Sequence, residues 1–295
     1  MAGQRYRVIH RTEYRYGAPM LDGYSVACVL ARPTPAQQVV SSSVTFDPLA
    51  DEYDEREDVF GNRIVQVGLH QPHDGLTVNA ISEVVIWDQG LPRQHMSWER
   101  VAATVAGLRG GLALDVAPFS APSKFVTIGQ HRTALTALAA ESFPPGRPLV
   151  EATTAFSTQI FESFSFDSSF TEISTPLDVV LAERRGVCQD FAHLAVGSLR
   201  ALGLAARYVS GYIETDPPPG EPRTFGADAS HAWCSVWIPD HGWLDFDPTN
   251  GVVGSLRHVT IGWGRDYADV APVRGVVIGP ASTQSLSVSV DVSRL

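Results

Sequence analysis

Residues Arg184-Arg185-Gly186-Val187-Cys188-Gln189-Asp190-Phe191-Ala192-His193-Leu194 read as a loop passing into a helix. Phe191, Ala195, Ser198 and Leu202 follow at helical spacing. A helix is therefore expected from Cys188, or just after it, to about Leu202, with Gly203 placed to end it. That start puts the Cys188 sulfur at a helix N-terminus, where unpaired N–H groups and the helix dipole favour a thiolate. The same N–H groups can hold an oxyanion. Gly186 is expected to let the backbone turn sharply and leave the approach to the sulfur open. A free cysteine is ordinarily a buried packing residue; the helix-start setting favours the reactive reading. His193 lies about 140° further round the helix, at about 100° per residue, and does not share the Cys188 face.

A reactive thiol needs an imidazole to move protons and a third group to orient that imidazole. Downstream of the helix, a strand is expected over residues 206–214, then a proline-rich loop over 216–222. A hairpin follows, with strands 231–238 and 243–247 around Pro239-Asp240-His241-Gly242. His231 opens it and Asp247 closes it. Side chains in a strand alternate in direction, so the two reach one face only if the loop has an odd number of residues or the ladder carries a bulge. Trp233 and Trp237 share the His231 face, and Trp233 is placed to wall the site as a substrate-binding residue. Cys234 points to the other face and Cys28 lies in a strand-like run, so both are expected to be packing residues.

Outward from this core the chain reads as an α+β protein. Residues 6–16, 24–30, 39–46, 63–69 and 76–87 have strand character and suggest an N-terminal antiparallel β-sandwich within residues 1–90. The acidic run 51–58 reads as a solvated loop. Residues 91–127 form a connector with a short helix near 97–106. The catalytic core, helices packed on an antiparallel sheet, is expected over 128–255, with helices at 130–142 and 149–164. Thr175-Pro176-Leu177-Asp178 is expected to start another helix, capped by Thr175, that ends near Gly186. Residues 256–295 form a C-terminal β extension.

The 295 residues include 22 Lys+Arg against 32 Asp+Glu, a net charge of -10 that disfavours nucleic acid or an anionic membrane as partner. Three cysteines make a disulfide framework improbable and fit a reducing, cytoplasmic setting. No signal-peptide pattern or membrane span is expected. Zinc, calcium and phosphate-loop motifs are missing, so no metal site and no cofactor are expected.

The motifs RRGVCQDFAHL (184–194), RYVSGY (207–212), SHAW (230–233) and GWLDFDPTNG (242–251) resemble the transglutaminase-like superfamily. HRTEYRY (10–16) and DVFGN (58–62) are similar to the N-terminal region of its bacterial members, and GRDYADVAPVRG (264–275) to their C-terminal segment. The resemblance implies a papain-type arrangement with Cys188 as nucleophile, His231 as acid/base and Asp247 as the orienting group. Phe166 stands where such proteins often carry tyrosine. The implied activity is acyl transfer from amide or isopeptide bonds of a peptide or protein substrate through a thioester, as a protease or amidase. An amine-accepting transglutaminase and an inactive binding scaffold are the alternatives, and the N-terminal region could itself bind a partner.

Overall fold

The computed structural model describes residues 3–170, 175–215, 230–280 and 283–295. The N-terminal third is a succession of strands: β1 (Gln4–Met20), β2 (Asp22–Ala27), β3 (Gln37–Asp47), β4 (Glu52–Glu57), β5 (Arg63–Leu69) and β6 (His73–Ile86). Helices α1 (Trp98–Gly107) and α2 (Gly110–Val116) occupy the connector, followed by α3 (Arg132–Ala139) and α4 (Leu149–Ser163). A short strand β7 (Ser165–Phe166) precedes α5 (Leu177–Glu183), β8 (Arg185–Gly186) and α6 (Cys188–Ala201). The remaining elements are β9 (Ala206–Ile213), β10 (Ser230–Ile238), β11 (Gly242–Asp247), β12 (Val252–Val253), β13 (His258–Gly264), α7 (Tyr267–Val270), β14 (Val273–Ile278) and β15 (Gln284–Arg294).

Two four-stranded sheets, ordered β15-β1-β6-β3 and β14-β2-β5-β4, form the expected sandwich. Ala27, Val65 and Val67 of one sheet share a core with Leu76, Val78 and Ala80 of the other. A five-stranded antiparallel sheet, β12-β11-β10-β9-β13, carries α6. The apolar face of β1 and β6 serves both bodies. Its other end, with Tyr6, Val8, Val84 and Ile86, joins Tyr212, Val259 and Ile261 in the core of the five-stranded sheet. Residues 256–295 distribute over three sheets: β13 pairs with β9, β14 with β2 and β15 with β1. Among the described residues no helix is long and apolar enough to cross a membrane.

Three local expectations are corrected. The acidic run is strand β4, paired with β5 at the sheet edge; all six residues are exposed, so no alternation marks it. Its charges are what keep an edge strand from pairing further. At α5 the N-cap residue is Pro176, which offers no side-chain acceptor, and the helix stops at Glu183 because Arg184 adopts a left-handed φ of 50°. The chain then extends so that β8 pairs in parallel with β7. The proline-rich 216–222 segment lies outside the described residues.

Candidate active site

Cys188 is the first residue of α6 and is partly exposed. Asp190 folds back so that its Oδ2 accepts from the Val187 N–H at 2.8 Å, closing the side-chain half of a capping arrangement. Valine has no oxygen to return, and the Asp190 N–H donates to the Val187 carbonyl at 2.9 Å instead. Gly186 is needed here for space and not for an unusual φ. A Cβ on it would lie 2.7 Å from Asp190 Oδ2 and 3.0 Å from Asp190 Cβ.

The hairpin solves the parity problem with a three-residue loop. Ile238 pairs with Gly242, leaving Pro239, Asp240 and His241 between the strands. Cys234 pairs with Phe246, so in this register Asp247 faces Trp233, and His231 is its diagonal neighbour on the same face. Their side chains meet: His231 Nε2 donates to Asp247 Oδ2 at 2.7 Å. With Nε2 so engaged, Nδ1 remains for the Cys188 thiol, which lies near enough to His231 to act on the imidazole electrostatically. All three residues expected from the sequence are thus brought together.

The carboxylate is the most heavily held group of the cluster. Asp247 is 1% exposed. Its Oδ2 also accepts from His258 Nε2 at 2.8 Å and Asn250 Nδ2 at 2.6 Å, and its Oδ1 from the Thr249 N–H at 2.8 Å. Ser157 of α4 donates to the Asp247 carbonyl at 2.9 Å and ties the strand end to the helix layer. Burial would raise the Asp247 pKa, but hydrogen bonds from His231 and His258 outweigh it and hold the carboxyl well below the usual range. For His231 burial works toward the neutral form. The bond to Asp247 and the nearby Cys188, with their charges, prevail and raise it to about 10. The proton therefore stays on the imidazole, and the site favours an imidazolium.

His258 and Asn250 were not found from the sequence. Asn250 stands in the quoted GWLDFDPTNG block, where an aspartate followed by Pro-Thr-Asn is a recognisable turn signal. His258 carries no local signal; it reaches Asp247 through the pairing of β13 with β9. His231, Asp247 and His258 place potential ligand atoms within 4.8 Å of one another. Both histidines direct Nε2 at one carboxylate oxygen at hydrogen-bond distance, so a cation would need both nitrogens stripped of protons and the oxygen moved aside.

Trp233 is 1% exposed and lies with its ring 6.1 Å from that of His231 and 4.9 Å from that of His258. Its Nε1 donates to Asp245 Oδ2 at 3.2 Å. A Cβ at Gly211 would come within 2.5 Å of this indole and closer still to the Val259 carbonyl oxygen, which explains the small residue there. Cys234 points to the α6 side, its thiol donating to the Ala192 carbonyl at 3.4 Å, and Cys28 is 4% exposed. Both are packing residues. His193 is buried on the α6 side, stacked on Phe125, and accepts from the Tyr267 N–H at 3.2 Å. Phe166 is exposed on β7.

Residues 136–248 match the Transglutaminase-like superfamily, and residues 6–85 match the Bacterial transglutaminase-like N-terminal region. An uncharacterized protein of Mycobacterium tuberculosis is 41% identical over 299 residues, covering 98% of this chain and 92% of that one. A protein-glutamine gamma-glutamyltransferase of Pseudomonas aeruginosa is 39% identical over 74 residues, 24% of this chain and 11% of that one. Among solved structures, a candidate cysteine protease from Cytophaga hutchinsonii superposes with a TM-score of 0.76 at 23% identity. That match covers 100% of this chain and 92% of the other.

Proposed function

This chain belongs to the transglutaminase-like superfamily, and from that membership we propose a cysteine-dependent acyl-transfer enzyme acting on amide or isopeptide bonds of a peptide or protein. Cys188 is the nucleophile, His231 the acid/base and Asp247 the group that orients the imidazole. The observation that carries the reading is His231 itself, bridging the helix-start thiol and a buried, multiply held carboxylate.

The chemistry follows from that bridge. The Cys188 proton resides on His231, and the sulfur attacks the carbonyl carbon. Charge develops on the carbonyl oxygen, where the first backbone N–H groups of α6 supply the stabilising dipole. His231 gives its proton to the departing amine as the tetrahedral adduct collapses to a thioester on Cys188. A second nucleophile, deprotonated by His231, then releases the acyl group. Asp247 keeps Nδ1 aimed at the sulfur and offsets the imidazolium charge.

Hydrolysis is the leading reading, because water reaches any thioester open to solvent while an amine acceptor needs a binding site of its own. Transfer to an amine is the second reading, favoured by the 74-residue match to the glutamyltransferase. The unpaired cysteines suit a cytoplasmic setting. Incubation with glutaminyl and isopeptide substrates, with and without a primary amine, tests both readings by mass spectrometry. The expected result is turnover with a trapped acyl adduct on Cys188 and none in Cys188→Ala. Equal, background release by the two proteins with every substrate would overturn the proposal.

A further inference from the structure

Alternation along β10 and β11 divides the five-stranded sheet into a face packed on α6 and an opposite face. Against that opposite face, between the sheet, the sandwich and the connector, lies a cavity of about 1000 Å³. Four of the chain's six tryptophans, Trp87, Trp233, Trp243 and Trp263, line it. Asp247 and His258 form part of the wall, so the cavity abuts the carboxylate end of the cluster, while neither Cys188 nor His231 lines it.

Arg207 of β9 is the unexplained group in this wall. It is only 7% exposed, and its guanidinium carbon lies 4.3 Å from the Trp243 ring and 3.6 Å from the Trp263 ring. Nε is buried with no hydrogen-bond partner, and the guanidinium donates no hydrogen bond to any described residue. Burial lowers its pKa to about 9, so it is still a cation at neutral pH. The carboxylate in its field, Asp245, is taken up by Trp233 Nε1 and the Ser235 hydroxyl. A buried cation with unused donors is costly unless an acceptor arrives from elsewhere.

We propose that this cavity binds an α-amino acid unit with a free carboxylate and an apolar side chain. The guanidinium fork, its plane set by the two indoles, matches a carboxylate in shape and charge. The tryptophan walls accept the apolar body. Asp88 and Asp115, exposed on the cavity lining, attract an ammonium group and disfavour a dianion such as phosphate. Free amino acids and the carboxy-terminal residue of a peptide share this chemistry.

Tryptophan fluorescence reads the site directly. The titration uses L-phenylalanine, L-phenylalaninamide and glycyl-L-phenylalanine on the native chain, on Cys188→Ala and on Arg207→Met. Saturable binding of L-phenylalanine or the dipeptide is expected, unchanged in Cys188→Ala and at least about tenfold weaker for the amide. Arg207→Met should bind the acid no better than the native chain binds the amide. If that variant does not fold, the acid–amide comparison on the native chain still decides. Tighter binding of the dipeptide identifies a peptide terminus, and tighter binding of phenylalanine a free amino acid. Equal binding of acid and amide, or no saturable change with any probe, overturns the proposal. Because Cys188 is not part of the cavity, a failed acyl transfer and a failed binding are told apart.

Discussion

At the scale of single residues, the three thiols should behave very differently. Burial pushes Cys28 up to about 12, and Cys234 is driven well above the ordinary thiol range by burial and the nearby carboxylates Asp247 and Asp245. Cys188 alone is partly exposed and close to an imidazole. Iodoacetamide near neutral pH should therefore alkylate Cys188 first, with peptide mapping as the check; equal sluggishness of all three would mean the thiol is not activated. On the proposed chemistry, Asp247→Ala should lower kcat/KM by about 10² to 10⁴-fold, the range general acid–base assistance supplies. His258 acts one step further out, through its 2.8 Å bond to Asp247. His258→Phe removes one hydrogen bond to a charged group, about 1.5–3 kcal/mol, and should slow kcat roughly ten- to hundredfold with KM little changed. His258→Gln, which keeps a donor, should recover most of that loss; failure of Gln to do better than Phe would reduce His258 to packing.

At the scale of elements, the start of α6 is set by one close approach. Since a methyl at residue 186 would meet Asp190, Gly186→Ala should cost about 1–3 kcal/mol of overpacking. Chemical denaturation should show that cost shrinking in an Asp190→Ala background, because the two changes act on one contact. The sequence pattern marked this element well, since α6 has apolar periodicity, a helix-start cysteine and a clean stop. It marked the hairpin equally well: side-chain alternation requires an odd loop or a bulge, and residues 239–241 provide the odd loop. What local patterns carried less clearly were features decided by distant partners. Strand β4 is exposed on both faces, and pairing with β5 makes it a strand, assisted by Arg63 Nε donating to Glu55 at 2.9 Å. The attachment of β14 and β15 to the two sandwich sheets joins residues more than 200 positions apart. His258 entered the site by the same route, carried in on β13.

At the scale of the whole molecule, buried histidines on both sides of the shared core set the response to pH. His10, on the sandwich face against Tyr212, is fully buried and lowered by that burial to about 4. His193, on α6 and against Tyr208 of β9, is likewise lowered to about 4, chiefly by burial, and its Nε2 accepts the Tyr267 N–H, a bond the protonated ring cannot make. Both favour the neutral form in the folded state. Between about pH 6.5, where they titrate when unfolded, and about 4, the unfolded chain binds more protons, so stability falls as pH falls. The limit is about 3 kcal/mol for each, from about 1.4 kcal/mol per pKa unit. Asp247, held low, adds a further loss once the pH drops below the ordinary aspartate range. His231 has the opposite sign. Its folded value of about 10 lies above the unfolded one, so its contribution is complete below about pH 6.5 and lost as the pH rises toward 10. Thermal unfolding followed across pH should therefore show a maximum near pH 6.5–7 with losses on both sides. His10→Gln should flatten the acid side only, while His231→Gln should flatten the alkaline side and, by weakening the hold on Asp247, also shrink the loss below the aspartate range. A profile rising steadily from pH 7 to 10 would contradict the stabilised imidazolium, and with it the charge state on which the proposed Cys188 chemistry depends.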